Sequence, residues 1–245
     1  MNLEAFPDCI KKDIEDQSLS ILASISEDII VIGGWAVRAL TGDTHGRYTL
    51  DIDGVTDLTT MDSISSQLAA HGMKPRKHAW GLQFFHSYVP HVEISDDLRE
   101  ALKNVELRIE LSAPRIYEAR THHFFEFSLT HFEKHSLSYH AQNKQIHVKV
   151  PPVTTMAAVK LGLPVDYKNN YDALVLLRMC TIDSVIAVII ATDAWKELVL
   201  RRIPKAIGRL HQKERIECIL ARTNGIDIKE HITMLNYIQN TLKKQ

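Results

Sequence analysis

The chain has 245 residues, enough to bury a sizeable core in one large domain or two small ones. Its hydrophobic fraction of 45% and charged fraction of 24% are those of an ordinary soluble globular protein. A formal net charge of −1 excludes a global electrostatic signature for nucleic acid or membrane.

Charge is unevenly spread, however. From Lys196 to the end there are 11 Lys or Arg against 5 Asp or Glu. A solvated helical face or an RNA partner would each explain that bias. Cys9, Cys180 and Cys218 are far apart, odd in number and fit no zinc spacing, which points to reduced thiols and a cytoplasmic compartment. The start, Met-Asn-Leu-Glu-Ala-Phe-Pro-Asp, has neither the basic end nor the apolar core of a signal peptide. The longest apolar run, Val185 to Ala191, is far short of the ~20 residues that span a bilayer.

In chain order, residues 8 to 27 read as a helix with Ile14, Leu19, Leu22 and Ile25 as its apolar stripe. Ile29 to Ile32 is a short buried strand, Trp35 to Leu40 a short helix closed by Thr41-Gly42, and Thr44 to Arg47 a polar loop. Tyr48 to Val55 reads as a second strand, and Asp62 to Ala70 as a helix closed by His71-Gly72. Gly81 to Val89 is a strand stopped by Pro90, and Asp96 to Leu102 is a helix with Ser95 as N-cap. Asn104 to Ser112 alternates cleanly, with Val105, Leu107, Ile109 and Leu111 on one face and Glu106, Arg108 and Glu110 on the other. Further strands are expected within 123–150, with a turn at Gln142-Asn143-Lys144.

At Pro151-Pro152 the pattern changes to helices over 154–161, 167–179, 184–191, 194–210, 213–221 and 229–242, the fourth kinked or divided by Pro204. The expected class is α+β: a mixed sheet flanked by helices over 1–150, then an all-helical domain over 151–245.

One stretch carries chemistry. Ile30-Val31-Ile32 ends in Gly33-Gly34, and a later strand carries Asp51 and Asp53 in alternation, so both carboxylates share a face. Asp is disfavoured in strands, and two on one face repel unless a cation lies between them. The glycines let the backbone approach another group closely and open a helix whose N–H groups suit phosphate. A phosphate cradle beside a Mg²⁺ site is the reading that unites these features. Glu110, mid-strand on the polar face, is the choice for a third carboxylate, with Glu106 and Glu93 as alternatives.

Gly33-Gly34-Trp35-Ala36-Val37 followed by Arg47-Tyr48-Thr49-Leu50-Asp51-Ile52-Asp53 resembles the signature of the nucleotidyltransferase fold of the polymerase-β superfamily. The Gly-Gly-Trp-Ala form is similar to the aminoglycoside and lincosamide nucleotidyltransferases, and Arg-x-Thr-x-Asp-Ile-Asp to the AbiEii-type toxins of toxin–antitoxin systems. The toxin resemblance extends to Lys160-Leu161 and Asp172-Ala173-Leu174. It implies that Lys160 contacts a nucleoside triphosphate and that Asp172 supports the same site, where alone they would read as an ordinary surface lysine and an exposed helix acid. Arg38 stands where the antibiotic-modifying enzymes tend to have an acid, and the context of Asp166-Tyr167-Lys168-Asn169-Asn170 is less basic than in the toxins. The resemblance covers roughly residues 28–180.

These features together imply an enzyme that moves a nucleoside monophosphate from an NTP to an acceptor hydroxyl. Asp51, Asp53 and Glu110 would be metal-binding and catalytic, and Gly33, Gly34, Arg47, Lys160 and Asp172 nucleotide-binding. The toxin resemblance implies an RNA acceptor, a tRNA 3′ end, and a separate antitoxin; the antibiotic-enzyme resemblance implies a small hydroxylated molecule. Leu50-Asp51-Ile52-Asp53-Gly54-Val55 also resembles the motif of haloacid-dehalogenase phosphatases, in which Asp51 would be the phosphorylated nucleophile and Asp96-Asp97 the distal acids. That motif needs an apolar strand before its first Asp, which Gly46-Arg47-Tyr48-Thr49 interrupts, and it leaves Gly33-Gly34 without a role. An EF-hand is excluded by the offset of Gly54, and His131 and His135 flank Glu133 at the wrong spacing for a zinc protease.

Overall fold

The computed structural model describes residues 6–42, 48–118, 121–212 and 227–245. These fall into two compact units: 6–42, 48–114 and 127–151 in one, and 115–118, 121–126, 152–212 and 227–245 in the other. The segment 115–126 thus groups with the helices, although it precedes the last strands of the sheet.

The first unit is α+β. It runs α1 (Asp8–Ile25), β1 (Ile30–Ile32), α2 (Gly33–Thr41), β2 (Asp51–Val55), α3 (Met61–Ala70), β3 (Lys74–His78), β4 (Gly81–Ser87), α4 (Asp96–Leu102), β5 (Glu106–Ser112), β8 (Glu133–Ser138) and β9 (Gln145–Val150). The strands form one seven-stranded mixed sheet in the order β3-β4-β5-β2-β1-β9-β8. β2 pairs antiparallel with β1 and parallel with β5. α1 buries Ile10, Ile14, Leu22 and Ile25 and contacts β2, β5 and β9, while α2 contacts β1, β2, β8 and β9. The alternation of β5 is realised as read: Leu107, Ile109 and Leu111 are buried, while Glu106, Arg108, Glu110 and Ser112 are half-buried. Ser95 caps α4 by accepting from the Leu98 N–H.

Three expectations are corrected. The acidic strand starts at Asp51, not Tyr48, because β1 has only three residues and pairs with 53–55, while the Thr49 N–H goes to a side chain, Glu15 Oε1, at 2.8 Å. β3 was not anticipated. Lys-Pro-Arg-Lys-His has no apolar alternation, and Pro is tolerated because this is the sheet edge. Of the two outcomes expected at Pro204, division does not occur: it lies exposed inside an unbroken element, where solvent can take the carbonyl it frees.

The second unit holds the hairpin β6 (Arg115–Glu118) and β7 (His123–Glu126), then α5 (Val153–Gly162), α6 (Tyr167–Leu177), α7 (Ile182–Ile190), α8 (Asp193–Leu210) and α9 (Ile228–Lys244). The helix expected over 213–221 lies outside the described residues. Trp195 centres this core: its Nε1 donates to Ala158 O at 3.0 Å and Phe125 meets its ring edge-on at 5.6 Å. A Cβ at Gly162 would lie 2.3 Å from the indole, so only glycine fits there. Arg202 reaches the buried Glu118 at 3.3 Å and donates to Gly162 O, tying the hairpin to α5 and α8. Among the described residues no helix is long and apolar enough to cross a membrane.

Candidate active site

β1 ends at Ile32, the N-cap of α2, and Gly33 turns the chain with φ +67, a conformation that favours glycine. The space beside it is taken: a Cβ on Gly33 would lie 2.0 Å from Asp53 Oδ2 and 2.9 Å from Asp53 Cβ. Glycine is therefore needed twice, for the turn and for the close approach of the Asp53 carboxylate. Gly34 follows, buried, in the first turn of α2, whose early N–H groups have no intrahelical acceptor. Trp35, next in α2, is fully buried, with the Arg38 guanidinium 5.3 Å from its ring centre.

Asp51 and Asp53 are half-buried on one face of β2, and Ile52 is buried on the other. In the register Asp53 sits opposite Glu110 of β5, and Glu110 opposite Gln83 of β4. Directly opposed residues share a face, so the third acid lies beside Asp53. Gln83 Nε2 donates to Glu110 Oε1 at 2.8 Å and fixes that carboxylate. The alternatives are placed differently. Glu106 is occupied by Arg108, both contacts at 3.1 Å, and Glu93 is exposed in the loop before α4.

Among the described residues no three acidic, His or Cys side chains converge into a group that could hold a metal ion, so Asp51, Asp53 and Glu110 are not a closed cage. Mg²⁺ does not need one. It binds one or two carboxylates together with water and substrate phosphates, and an all-oxygen pair on one face matches its chemistry. The donor set fits that ion.

Behind the motif lies a buried network that sequence reasoning missed. Glu15 of α1 has a fully buried side chain, with Arg38 Nη1 at 2.6 Å and His140 Nε2 at 2.7 Å from its Oε2. Its Oε1 takes the Thr49 N–H, two residues before Asp51. Burial works to raise this carboxyl, but His140, Arg38 and the Thr49 N–H outweigh it and hold its pKa below the ordinary value. One anion thus ties together α1, α2 and the approach to the acidic strand, and it explains Arg38. A signal existed: Glu15 stands four residues before Leu19 and seven before Leu22, on the apolar stripe of α1.

Lys160 and Asp172 belong to the helical unit and meet there, Nζ to Oδ2 at 2.8 Å. Neither is the surface residue that each would be if read alone: their side chains are 6% and 0% exposed. Asn169 Oδ1 lies 3.4 Å from the ammonium. Arg47 lies outside the described residues. The phosphatase motif finds no support in the local fold, since residues 48–50, which lead into Asp51, are not a strand. His131 and His135 are both near the sheet edge, His131 exposed and His135 Nε2 3.1 Å from Glu133, an ordinary surface contact.

No protein-family model matches the sequence, and no curated protein matches it either. Structure comparison does find relatives. A solved structure from H. pylori, assigned as a nucleotidyltransferase, aligns over 98% of this chain and 98% of its own, with a TM-score of 0.52 and 10% identity. The chain has the nucleotidyltransferase fold. Two further structures align at 14% identity: MenT4, a nucleotidyltransferase toxin from Mycobacterium tuberculosis, over 98% of this chain and 86% of its own with a TM-score of 0.49, and the antibiotic-resistance factor ANT(2'')-Ia, over 74% and 91% with 0.47. At such identities the likeness speaks for architecture, and the chemistry must come from the residues themselves.

Proposed function

We propose that this protein transfers a nucleoside monophosphate from an NTP to an acceptor hydroxyl, with pyrophosphate leaving, in a Mg²⁺-dependent reaction. The observation that carries the reading is the packing of the Asp53 carboxylate against Gly33 at the start of α2. It sets a carboxylate beside backbone N–H groups of a kind suited to phosphate, and a magnesium-bound triphosphate would engage both at once.

Asp51 and Asp53 would hold the ion, which would supply charge neutralisation at the transferring phosphoryl group. The N–H groups of Gly33 and Gly34 would hold phosphate oxygens, and Arg47 would balance charge on the leaving group. Glu110, oriented by Gln83, would take the acceptor proton. Asp172 holds Lys160 as its counter-ion, and Lys160 serves the triphosphate in this reading. The acceptor would be an RNA end, with a toxin role and a separate antitoxin, or a small hydroxylated molecule.

The test incubates the protein with Mg²⁺ and each α-labelled NTP, together with total tRNA or a panel of hydroxylated small molecules. Label transfer that disappears in Asp53→Ala is expected. No incorporation above that variant would count against the reading, and release of phosphate from monoesters through a phosphoenzyme at Asp51 would replace it. For the toxin role, expression should arrest growth only while Asp51 and Asp53 are intact, and harmless expression of the wild type would sink that role.

A further inference from the structure

The sheet register carries an inference about the acceptor. Across β2, β5, β4 and β3 the rows are Asp53–Glu110–Gln83–Arg76 and Asp51–Arg108–Phe85–Lys74. Opposed residues share a face, so Lys74 and Arg76 lie on the same face as the carboxylates, at the open edge of the sheet. Three strand spacings separate β2 from β3, roughly 14 Å. A polar chain links the ends of one row: Arg76 Nη1 donates to Gln83 Oε1 at 3.4 Å, and Gln83 donates to Glu110.

The edge is both cationic and aromatic. Lys74, Arg76 and Lys77 are exposed, and Arg76 lies 4.7 Å from the centre of the Phe85 ring. At the β3–β4 turn His78 and Trp80 stack at 4.9 Å with 10° between their planes, and Trp80 is 41% exposed. Lysines alone on an edge strand would be explained as protection against aggregation. An exposed indole works against that purpose. Cations beside stacking surfaces are what a single nucleic-acid strand requires, the cations for its phosphates and the rings for its bases.

We propose that β3 and the β3–β4 turn bind the single-stranded end of a nucleic acid and lead it along the sheet face towards Asp51, Asp53 and Glu110. Lys74 and Arg76 hold backbone phosphates, and Trp80, backed by His78, stacks on a base. What the bound strand is for rests on the nucleotidyl-transfer reading; that it binds here does not.

Binding is therefore measured separately, without NTP or Mg²⁺, by fluorescence anisotropy of labelled RNA and DNA oligonucleotides over a range of salt. Binding of RNA, DNA or both is expected, and the relative affinities identify the source. Lys74→Glu/Arg76→Glu should weaken binding at least about tenfold and reduce the slope of log affinity against log salt by about 1.4, two single-strand phosphate contacts. Trp80→Ala should weaken it by at least about fivefold and leave that slope unchanged. Lys243→Glu/Lys244→Glu, at the exposed end of α9, carries the same charge change and should bind as the wild type does. Thermal melts confirm that these surface variants are folded. Failure to bind either nucleic acid, or equal weakening by the two charge variants, overturns the proposal. Label transfer to a small hydroxyl compound without strand binding would overturn the track and keep the transferase; strand binding without transfer to any acceptor would do the reverse.

Discussion

The molecule treats its acids in two ways. On the sheet, Asp51, Asp53 and Glu110 are half-buried. In the helical unit, Asp172 is completely buried and has its lysine at 2.8 Å. A buried carboxylate tolerates its loss of water only with a cation held against it, so that pair is internally balanced. A half-exposed acid keeps part of its hydration and can exchange water for an incoming ion. Burial thus separates an acid that holds a cation of its own chain from acids still in reach of solvent, a distinction that spacing alone does not give.

Breaking the buried pair should produce the largest effect. Asp172→Ala leaves the Lys160 ammonium uncompensated and should lower stability by about 3–5 kcal/mol in urea titration. The double replacement Lys160→Met/Asp172→Leu should recover most of that loss, because both charges go together. Asp53→Ala should do the opposite: melt as the wild type does, while transfer falls at least about 100-fold, about 2.7 kcal/mol of barrier, since loss of a metal ligand costs no less than loss of its outer partners. A large loss of stability with unchanged transfer would reverse the assignment.

Gly33→Ala lies between these cases. The left-handed conformation at φ +67 costs a side chain about 1–2 kcal/mol, and the new Cβ displaces the Asp53 carboxylate. Stability and transfer should therefore both fall, where Asp53→Ala affects transfer alone. The smallest effect concerns His231, buried in α9 with no partner for either ring nitrogen among the described residues. Burial lowers its pKa, so below the ordinary value of 6.5 the unfolded chain takes up a proton that the folded one resists. Stability should decline as pH falls through that range, and the decline in thermal midpoint should be shallower in His231→Leu.

Local pattern revealed much of the fold. Alternation located β5 within two residues of its start and assigned its faces correctly, and Pro151-Pro152 marked where helices take over. Two things escaped because they are tertiary. β3 has no apolar face of its own and is a strand only through pairing with β4, so its sequence held no period to find. The burial of Lys160 and Asp172 depends on how α5 and α6 pack, which neither helix's sequence discloses. At the site, Gly33, Asp51 and Asp53 were legible because turn and strand geometry are local. Gln83 was not, since it becomes relevant only through a partner 27 residues away, and Glu15 showed only its place on the apolar stripe of α1, its role resting on a partner 34 residues away.

The three tryptophans have an optical consequence. Trp35 of α2 and Trp195 of the helical core are both at 0% exposure, whereas Trp80 is 41% exposed at the basic edge. A soluble quencher should therefore reach one indole and spare two. Single-tryptophan variants would let the two compact units be followed separately as they melt, showing by native emission whether they unfold together or in turn.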